Sequence, residues 1–299
     1  MLLQCPQNAC RSSSANPASG RLVRNGFFYR KSDSTRVRRF RCLICKRSTS
    51  VATTNSCYRQ KKRQVNEPLR RLLVSGVSQR RSARILRVTR KTVERKFRFL
   101  AEQARVDQCQ FRESFLQRSP PLSSIQFDEL ETGERSKCLP LSVALAVSHP
   151  ARKILGFRVS SMPAKGHLAK ISVQKYGFRA DHRARGLREL FTEISPLLHP
   201  RAEILSDQCP RYPLVVAELL PEARHATVLS RRGCVAGQGE LKKIGFDPLF
   251  SLNHTCAMLR ANINRLFRRT WCTSKRADRL ADHIALYVQA HNRELTTEG

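Results

Sequence analysis

A chain of 299 residues, 40% of them hydrophobic, carries enough apolar material for about two domains at roughly 150 residues each, which excludes a disordered tail. Its 56 Lys+Arg against 23 Asp+Glu give a formal net charge of +33, and a surface of that sign attracts polyanions because neutralised phosphates release condensed counterions. There is no apolar run of ~18 residues and no leader-like start, and eleven cysteines, mostly single, do not spell a secreted disulfide scaffold; nucleic acid in a reducing cytoplasm is the expected setting.

Residues 1–60 predict a zinc ribbon. Cys5-x4-Cys10 and Cys42-x2-Cys45 are two thiol pairs flanking the basic, aromatic stretches GFFYRK and RVRRFRC, and RSSSANPASG between them reads as a flexible insertion. Four sulfurs around a tetrahedral Zn2+ supply folding energy that so small an apolar core lacks.

Residues 61–118 predict an all-α helix-turn-helix domain. Pro68 opens a first helix with Leu69, Leu72 and Leu73; Ser78 caps a second with Ala83, Ile85 and Leu86; Thr89 caps a third with Val93, Phe97 and Leu100. The third is the expected recognition helix, with Arg90, Lys91, Thr92, Arg95 and Lys96 near its exposed N-terminal end and Arg80, Arg81 and Arg84 on the helix before it. Consecutive prolines in RSPPLSS then mark a boundary.

Residues 119–299 predict an α/β domain, a mixed sheet with helices on both faces. SIQFD, LPLSVALAVS and ILGFRVS read as three strands in succession, the last placing Leu155, Phe157 and Val159 on one side. A helix with Leu187, Leu190, Phe191, Ile194 and Leu197 follows, then the strand AEILSD ending at Asp207, a helix from Pro213 and a fifth strand, HATVLS. Two apolar stripes close the chain: Leu252, Cys256, Leu259, Ile263 and Leu266, then Leu280, Ile284, Tyr287 and Val288. With the first and fourth strands as neighbours, Asp128 at the end of one and Asp207 at the end of the other converge across 79 positions. Two like charges brought together call for a cation between them, and hard carboxylate oxygens suit Mg2+ or Mn2+. Alternation turns Glu129 to the opposite face, and Glu131 falls beyond the strand end.

Taken in order, RFRCLICKRSTS, SGVSQRRSARILRVTRKTVERK, FDELET, LSDQCP and LNHTCAMLRANINRLFRRTWCTSK resemble the transposases of short bacterial insertion sequences. The likeness runs over nearly the whole chain. It implies a ribonuclease-H-like catalytic domain with an Asp, Asp, Glu metal triad, Mg2+ (or Mn2+) and Zn2+ as cofactors, and a nucleoid-associated enzyme of the bacterial cytoplasm. Its double-stranded DNA partners would be the element's terminal repeats and the target, with a homo-oligomer to hold two ends. Asp128 and Asp207 match the first two acids, and Cys5, Cys10, Cys42 and Cys45 match the zinc ligands. The third acid is where the sequence departs: its position is Asn253, followed by Arg260, which approaches the DNA in such enzymes. Asn253, Arg260 and Asn264 share a helical face. Glu240, Asp247 and His254 are the other candidates for the third ligand. The alternatives are a catalytically inactive relic or repressor of the same family and a nuclease without strand transfer.

Overall fold

A computed structural model of the chain describes residues 5, 7, 10, 22–31, 33–53, 55–229, 247–267 and 271–297. The stretch at 11–20 read as an insertion, and Glu240, lie outside the described residues. By its contacts the chain divides into Met1–Pro68 and Leu69–Gly299.

In the first unit, β1 (Leu22–Arg30), β2 (Thr35–Cys42) and β3 (Ser48–Ser50) form an antiparallel sheet in that order. A register shift between Arg24 and Phe27 contains Gly26 at φ +70°, where a side chain would be strained. The Arg36 and Arg38 guanidinium groups lie 3.9 and 4.7 Å from the centre of the Phe27 ring, which accounts for the basic-aromatic alternation of the two strands. Among the described residues of this unit, few apolar side chains apart from the cysteines are buried, Val37, Ala52 and Val65 among them. That is too little to hold a fold without a staple.

The second unit begins within α1 (Asn66–Val74), followed by α2 (Gln79–Ile85) and α3 (Arg90–Arg118). The expected caps are present: Ser78 Oγ accepts from Arg81 N and Thr89 Oγ1 from Thr92 N, both at 3.3 Å. There is, however, no separate helix-turn-helix domain. α3 runs for 29 residues and packs along α8 (Ala277–Thr297). Arg105 pairs with the buried Asp282 at 2.5 Å, and Phe97 meets His283 edge-on. His283 in turn bonds the Leu73 carbonyl at 2.9 Å and is held neutral, its pKa lowered to about 4 by burial. α1 and α3 are therefore tied to α8 of the α/β domain, and α2 packs on α3.

Five strands make the central sheet: β4 (Leu122–Glu134), β5 (Ser136–Ser148), β6 (Ile154–Ser161), β7 (Leu198–Asp207) and β8 (Arg224–Val228), in the order β6-β5-β4-β7-β8. β5 runs antiparallel to both its neighbours, whereas β4, β7 and β8 are parallel. One face packs on α5 (Arg183–Ile194) and α6 (Tyr212–Leu219) through Ile125, Phe127, Ile204, Phe191 and Tyr212. The other carries α7 (Phe250–Asn262) and α8 through Leu130, Val143, Leu145, Leu252, Leu259 and Ile284. Both predicted C-terminal stripes belong to this second core, although α7 ends at Asn262, so Ile263 and Leu266 join it from beyond the helix.

Three strand readings are corrected. β4 runs on to Glu134, because β5 starts at Ser136 and pairs with it along that length; Asp128 is a mid-strand residue and Glu131 lies within the strand. Leu155, Phe157 and Val159 do not share a side, since Ala146 pairs with Gly156 but Val147 with Ile154, which leaves Leu155 as a bulge. Leu155 joins the α5 face while Phe157 and Val159 pack on the other. Gly156 then faces α5, where a Cβ would come within 2.8 Å of Leu190 Cδ1, and this close approach is what requires glycine. A further helix, α4 (Leu168–Tyr176), was not foreseen from the sequence.

Candidate metal centres and nucleic-acid interface

The four cysteines of the first unit come together as the spacing predicts. Cys5 Sγ lies 3.5 Å from Cys45 Sγ, Cys10 Sγ lies 3.7 Å from Cys42 Sγ, and all four sulfurs fall within 4.8 Å of one another. Disulfides are excluded at these separations, since the S–S bond is ~2 Å. A tetrahedron of Zn–S bonds of ~2.3 Å has sulfur–sulfur edges of about 3.8 Å, which these distances match. Without a cation, burial pushes the Cys5 thiol up to about 12, and the neighbouring sulfurs add to the shift. The donor set, four soft sulfurs of which three are buried, fits Zn2+.

The acidic site is assembled by the sheet. β4 and β7 pair in parallel with Ile125 opposite Ile204 and Gln126 opposite Leu205, so two residues further along each strand stand Asp128 and Asp207. Parity turns Gln126 and Asp128 toward the same face. On that face α7 is tied down: Gln126 Nε2 donates to the Pro248 carbonyl at 2.8 Å, and Leu252 N donates to Gln126 Oε1 at 3.0 Å. His149 and Ser251 complete the tie through a 3.1 Å bond. Burial, helped by the charge of Asp207, pushes the Asp128 carboxyl up to about 6 against hydrogen bonds from Glu129 N and Tyr212. Asp207 accepts from Cys209 N at 3.1 Å.

Tyr212 and Arg211 were missed beside this site, and the part played by Glu129 was understated. Tyr212, at the start of α6, donates its hydroxyl to Asp128 Oδ1 at 3.0 Å, and Asp128, Glu129 and Asp207 all help to drive its pKa upward after burial itself. Glu129 does turn from Asp128 by strand parity, yet it is not a bystander: its side chain, 6% exposed, pairs with Arg211 and accepts from Ser142 Oγ at 2.8 Å. The sequence signal was Arg211-Tyr212 before Pro213, which a helix opening next to Asp207 brings to the site.

Asn253 lies on α7, one turn before Cys256 and two before Arg260 on one helical face. That face is within electrostatic reach of Asp128: after burial, the Asp128 charge is the next cause that raises the Cys256 thiol to about 12, with Arg260 pulling the other way. Asn253 Nδ2 donates to Asp247 Oδ2 at 2.9 Å, and Asp247 Oδ1 accepts from Leu249 N at 3.0 Å as the chain enters the helix. His254 is engaged by Arg152 at 3.1 Å, and burial followed by that cation lowers its pKa. Asn264 is buried beyond the end of α7 and does not belong to the polar face. Among the described residues the four cysteines are the one group of three or more His, Cys, Asp or Glu side chains placed to hold an ion; neither Asp247 nor His254 joins Asp128 and Asp207 in such a group. The two aspartates, as hard oxygen donors with the buried one destabilised by its neighbour, fit Mg2+ or Mn2+ as a two-carboxylate site.

Arg80, Arg81, Arg84, Arg90, Lys91 and Arg95 are exposed on α2 and the start of α3. Thr92 is half-buried, its hydroxyl 3.0 Å from that of Thr89 in the cap. Lys96 is 4% exposed, so it is not on that surface: it stands between Val93 and Leu100 within the helix's apolar stripe.

No family model matches the chain, and no curated protein matches it. Among solved structures it is similar to the catalytic domain of the Mos1 mariner transposase at 12% identity, over 68% of this chain and 90% of that one, with a TM-score of 0.27. The Mos1 strand transfer complex matches at 10% identity over 78% and 77%, with a TM-score of 0.24. Likenesses this distant leave the functional reading to the residues themselves. Among the described residues no helix is long and apolar enough to cross a membrane.

Proposed function

We propose that the chain is a metal-dependent DNA transposase that binds the ends of an insertion sequence, cuts a strand at each and joins the freed 3′-hydroxyl to target DNA. The observation that carries this reading is the level placement of Asp128 and Asp207 on adjacent parallel strands under α7, in a chain of net charge +33. The strand order, with only the second of five strands reversed, is the one a ribonuclease-H-like sheet requires. Asp128 and Asp207 would hold Mg2+ or Mn2+, which supplies activation of the attacking oxygen and stabilisation of the leaving one. Tyr212 and the Glu129–Arg211 pair orient the Asp128 carboxylate, and Arg260, with the exposed arginines of α2 and α3, holds phosphates. Asn253 belongs to the polar face of α7, its amide donating to Asp247. Two ends must be held at once, so the active form is a homo-oligomer on DNA.

One observation favours a second reading. By the resemblance Asn253 stands where a third carboxylate is expected, and among the described residues no acid or histidine joins Asp128 and Asp207 in a group of three, as expected of a DNA-binding relic or repressor. A cleavage assay with Mg2+ or Mn2+ on DNA carrying the element's own ends separates the two. The enzyme reading expects nicking that Asp128→Asn and Asp207→Asn each reduce by more than about a thousandfold while binding persists. Binding without nicking in the wild type, not restored by Asn253→Glu, supports the relic.

A further inference from the structure

The tip of the β4–β5 hairpin gathers features that the two metal centres do not use. Glu134 is the shared anchor. On one side Arg179 donates to it at 3.2 Å, which fixes the segment following α4. On the other it forms a parallel bridge to Ser274, reinforced where Arg135 N bonds the Ser274 carbonyl at 2.6 Å and Arg135 Nε the Lys275 carbonyl at 3.1 Å. Each docked segment carries an aromatic ring in solvent: Phe178, 89% exposed, next to Arg179, and Trp271, 99% exposed, three residues before Ser274. Half-exposed Tyr176 ends α4 beside Phe178. None of the three rings stacks on another aromatic or a cation among the described residues.

Leaving large apolar rings in water is unfavourable, and a folded chain that does so repeatedly at one place presents a binding surface. The charge around the rings decides what the surface takes. From Arg135 to Ala180 the sequence contains no Asp or Glu, and Lys170 and Lys175 on α4 are exposed with no ion-pair partner among the described residues. Lys275 is exposed on the other docked segment. A second copy of so basic a chain is repelled by this charge, whereas a polyanion with flat, stackable faces is attracted. Duplex DNA hides those faces; single-stranded DNA offers one per nucleotide.

We propose that the hairpin tip is a stacking platform for unpaired DNA bases, with Phe178 and Trp271 as the rings and Lys170, Lys175 and Lys275 on the phosphates. It rests on the DNA-processing reading, in which the free end created by a cut frays from the duplex and exposes unpaired bases. The strand that forms one side of the tip carries Asp128, so the platform extends the acidic site along β4.

Trp271 is the sole tryptophan in the sequence, which makes its emission a direct probe. Full-length, zinc-loaded protein is titrated with oligo(dT) of about 12 nucleotides and with a duplex of equal length, and binding is followed in parallel by the anisotropy of labelled DNA. The platform requires saturable quenching by oligo(dT). It also requires Phe178→Ala, at a solvent-exposed position that the fold tolerates, to weaken oligo(dT) binding by about 5- to 100-fold and leave duplex affinity unchanged. Unaltered Trp271 emission at saturating oligo(dT) overturns the proposal. So does an equal loss on both DNAs, which means phosphate contact alone, or quenching that rises with protein concentration in the absence of DNA, which means that a second copy covers the rings. Duplex binding and metal-dependent nicking with a silent Trp271 remove the platform and keep the transposase reading; stacking of oligo(dT) by a protein that neither binds nor nicks duplex keeps the platform and removes the transposase reading.

Discussion

The four-sulfur cluster and the pair Asp128 and Asp207 are both proposed cation sites, and the chain assembles them by opposite means. The sulfurs come from two short-range pairs beside a three-stranded sheet, and among the described residues little else in that unit is buried. The aspartates stand on a sheet with an apolar core on each face, which positions them whether or not a cation is there. On the proposed reading a zinc ion would make the structure of the first unit, whereas in the second the sheet would make a place for a cation. A fold-making site has to be closed and complete, whereas a site meant for chemistry can remain open and carry strain.

The sharpest way to break this contrast is to remove one ligand from each site. Cys42→Ser takes a thiolate from a cluster whose binding energy is on the order of 10–16 kcal/mol and is also the folding energy of its unit. The zinc content should fall from one per chain to none, and the signals of residues 1–68 in a heteronuclear NMR spectrum should collapse to unfolded positions, with the second unit's thermal transition preserved. Retention of dispersed signals without zinc would mean that the first unit folds by packing alone.

Asp128→Asn should do the reverse. In the metal-free protein the Asp128 pKa is raised above its unfolded value, so the folded state is favoured in full below the ordinary carboxylate pKa and that stability is lost as pH rises from about 3.8 to about 6. Asparagine keeps an oxygen for Tyr212 and Glu129 N without the charge. At pH 7–8 in chelator, denaturant unfolding should find the variant more stable than wild type by roughly 1–3 kcal/mol, with the gap closing toward pH 4. A variant less stable than wild type at pH 8 would mean that Asp128 is a structural residue.

The same contrast explains what could be read from the sequence. The cysteine pairs were legible because each pair is local and a tetrahedral metal tolerates few spacings. Asp128 and Asp207 were legible because a plausible strand order makes their strands neighbours, even though Asp128 stands in mid-strand and not at its end. Lys96 could have been placed correctly, since it stands three residues after Val93 and four before Leu100, inside the stripe that the helix buries. Leu155 could not: a bulge adds one residue to β6 and reverses the alternation from there, and no local pattern announces it. Tyr212 and the Glu129–Arg211 pair depend on where α6 meets the sheet, which is a tertiary fact. The autonomy expected for the three N-terminal helices failed for a similar reason, because the length of α3 lets it reach α8 and β6, where Gln108 donates to the Ile154 and Leu155 carbonyls at 3.1 and 3.2 Å.

Central to the enzyme reading is that Asp128 and Asp207 share one divalent cation. The most direct measurement is Mn2+ binding followed by electron paramagnetic resonance on zinc-loaded full-length protein, comparing wild type with Asp128→Asn and Asp207→Asn. Shared coordination predicts a protein-bound Mn2+ population in the wild type that each substitution abolishes and that excess Mg2+ displaces. Equal Mn2+ binding by all three proteins, or none by the wild type, would contradict it.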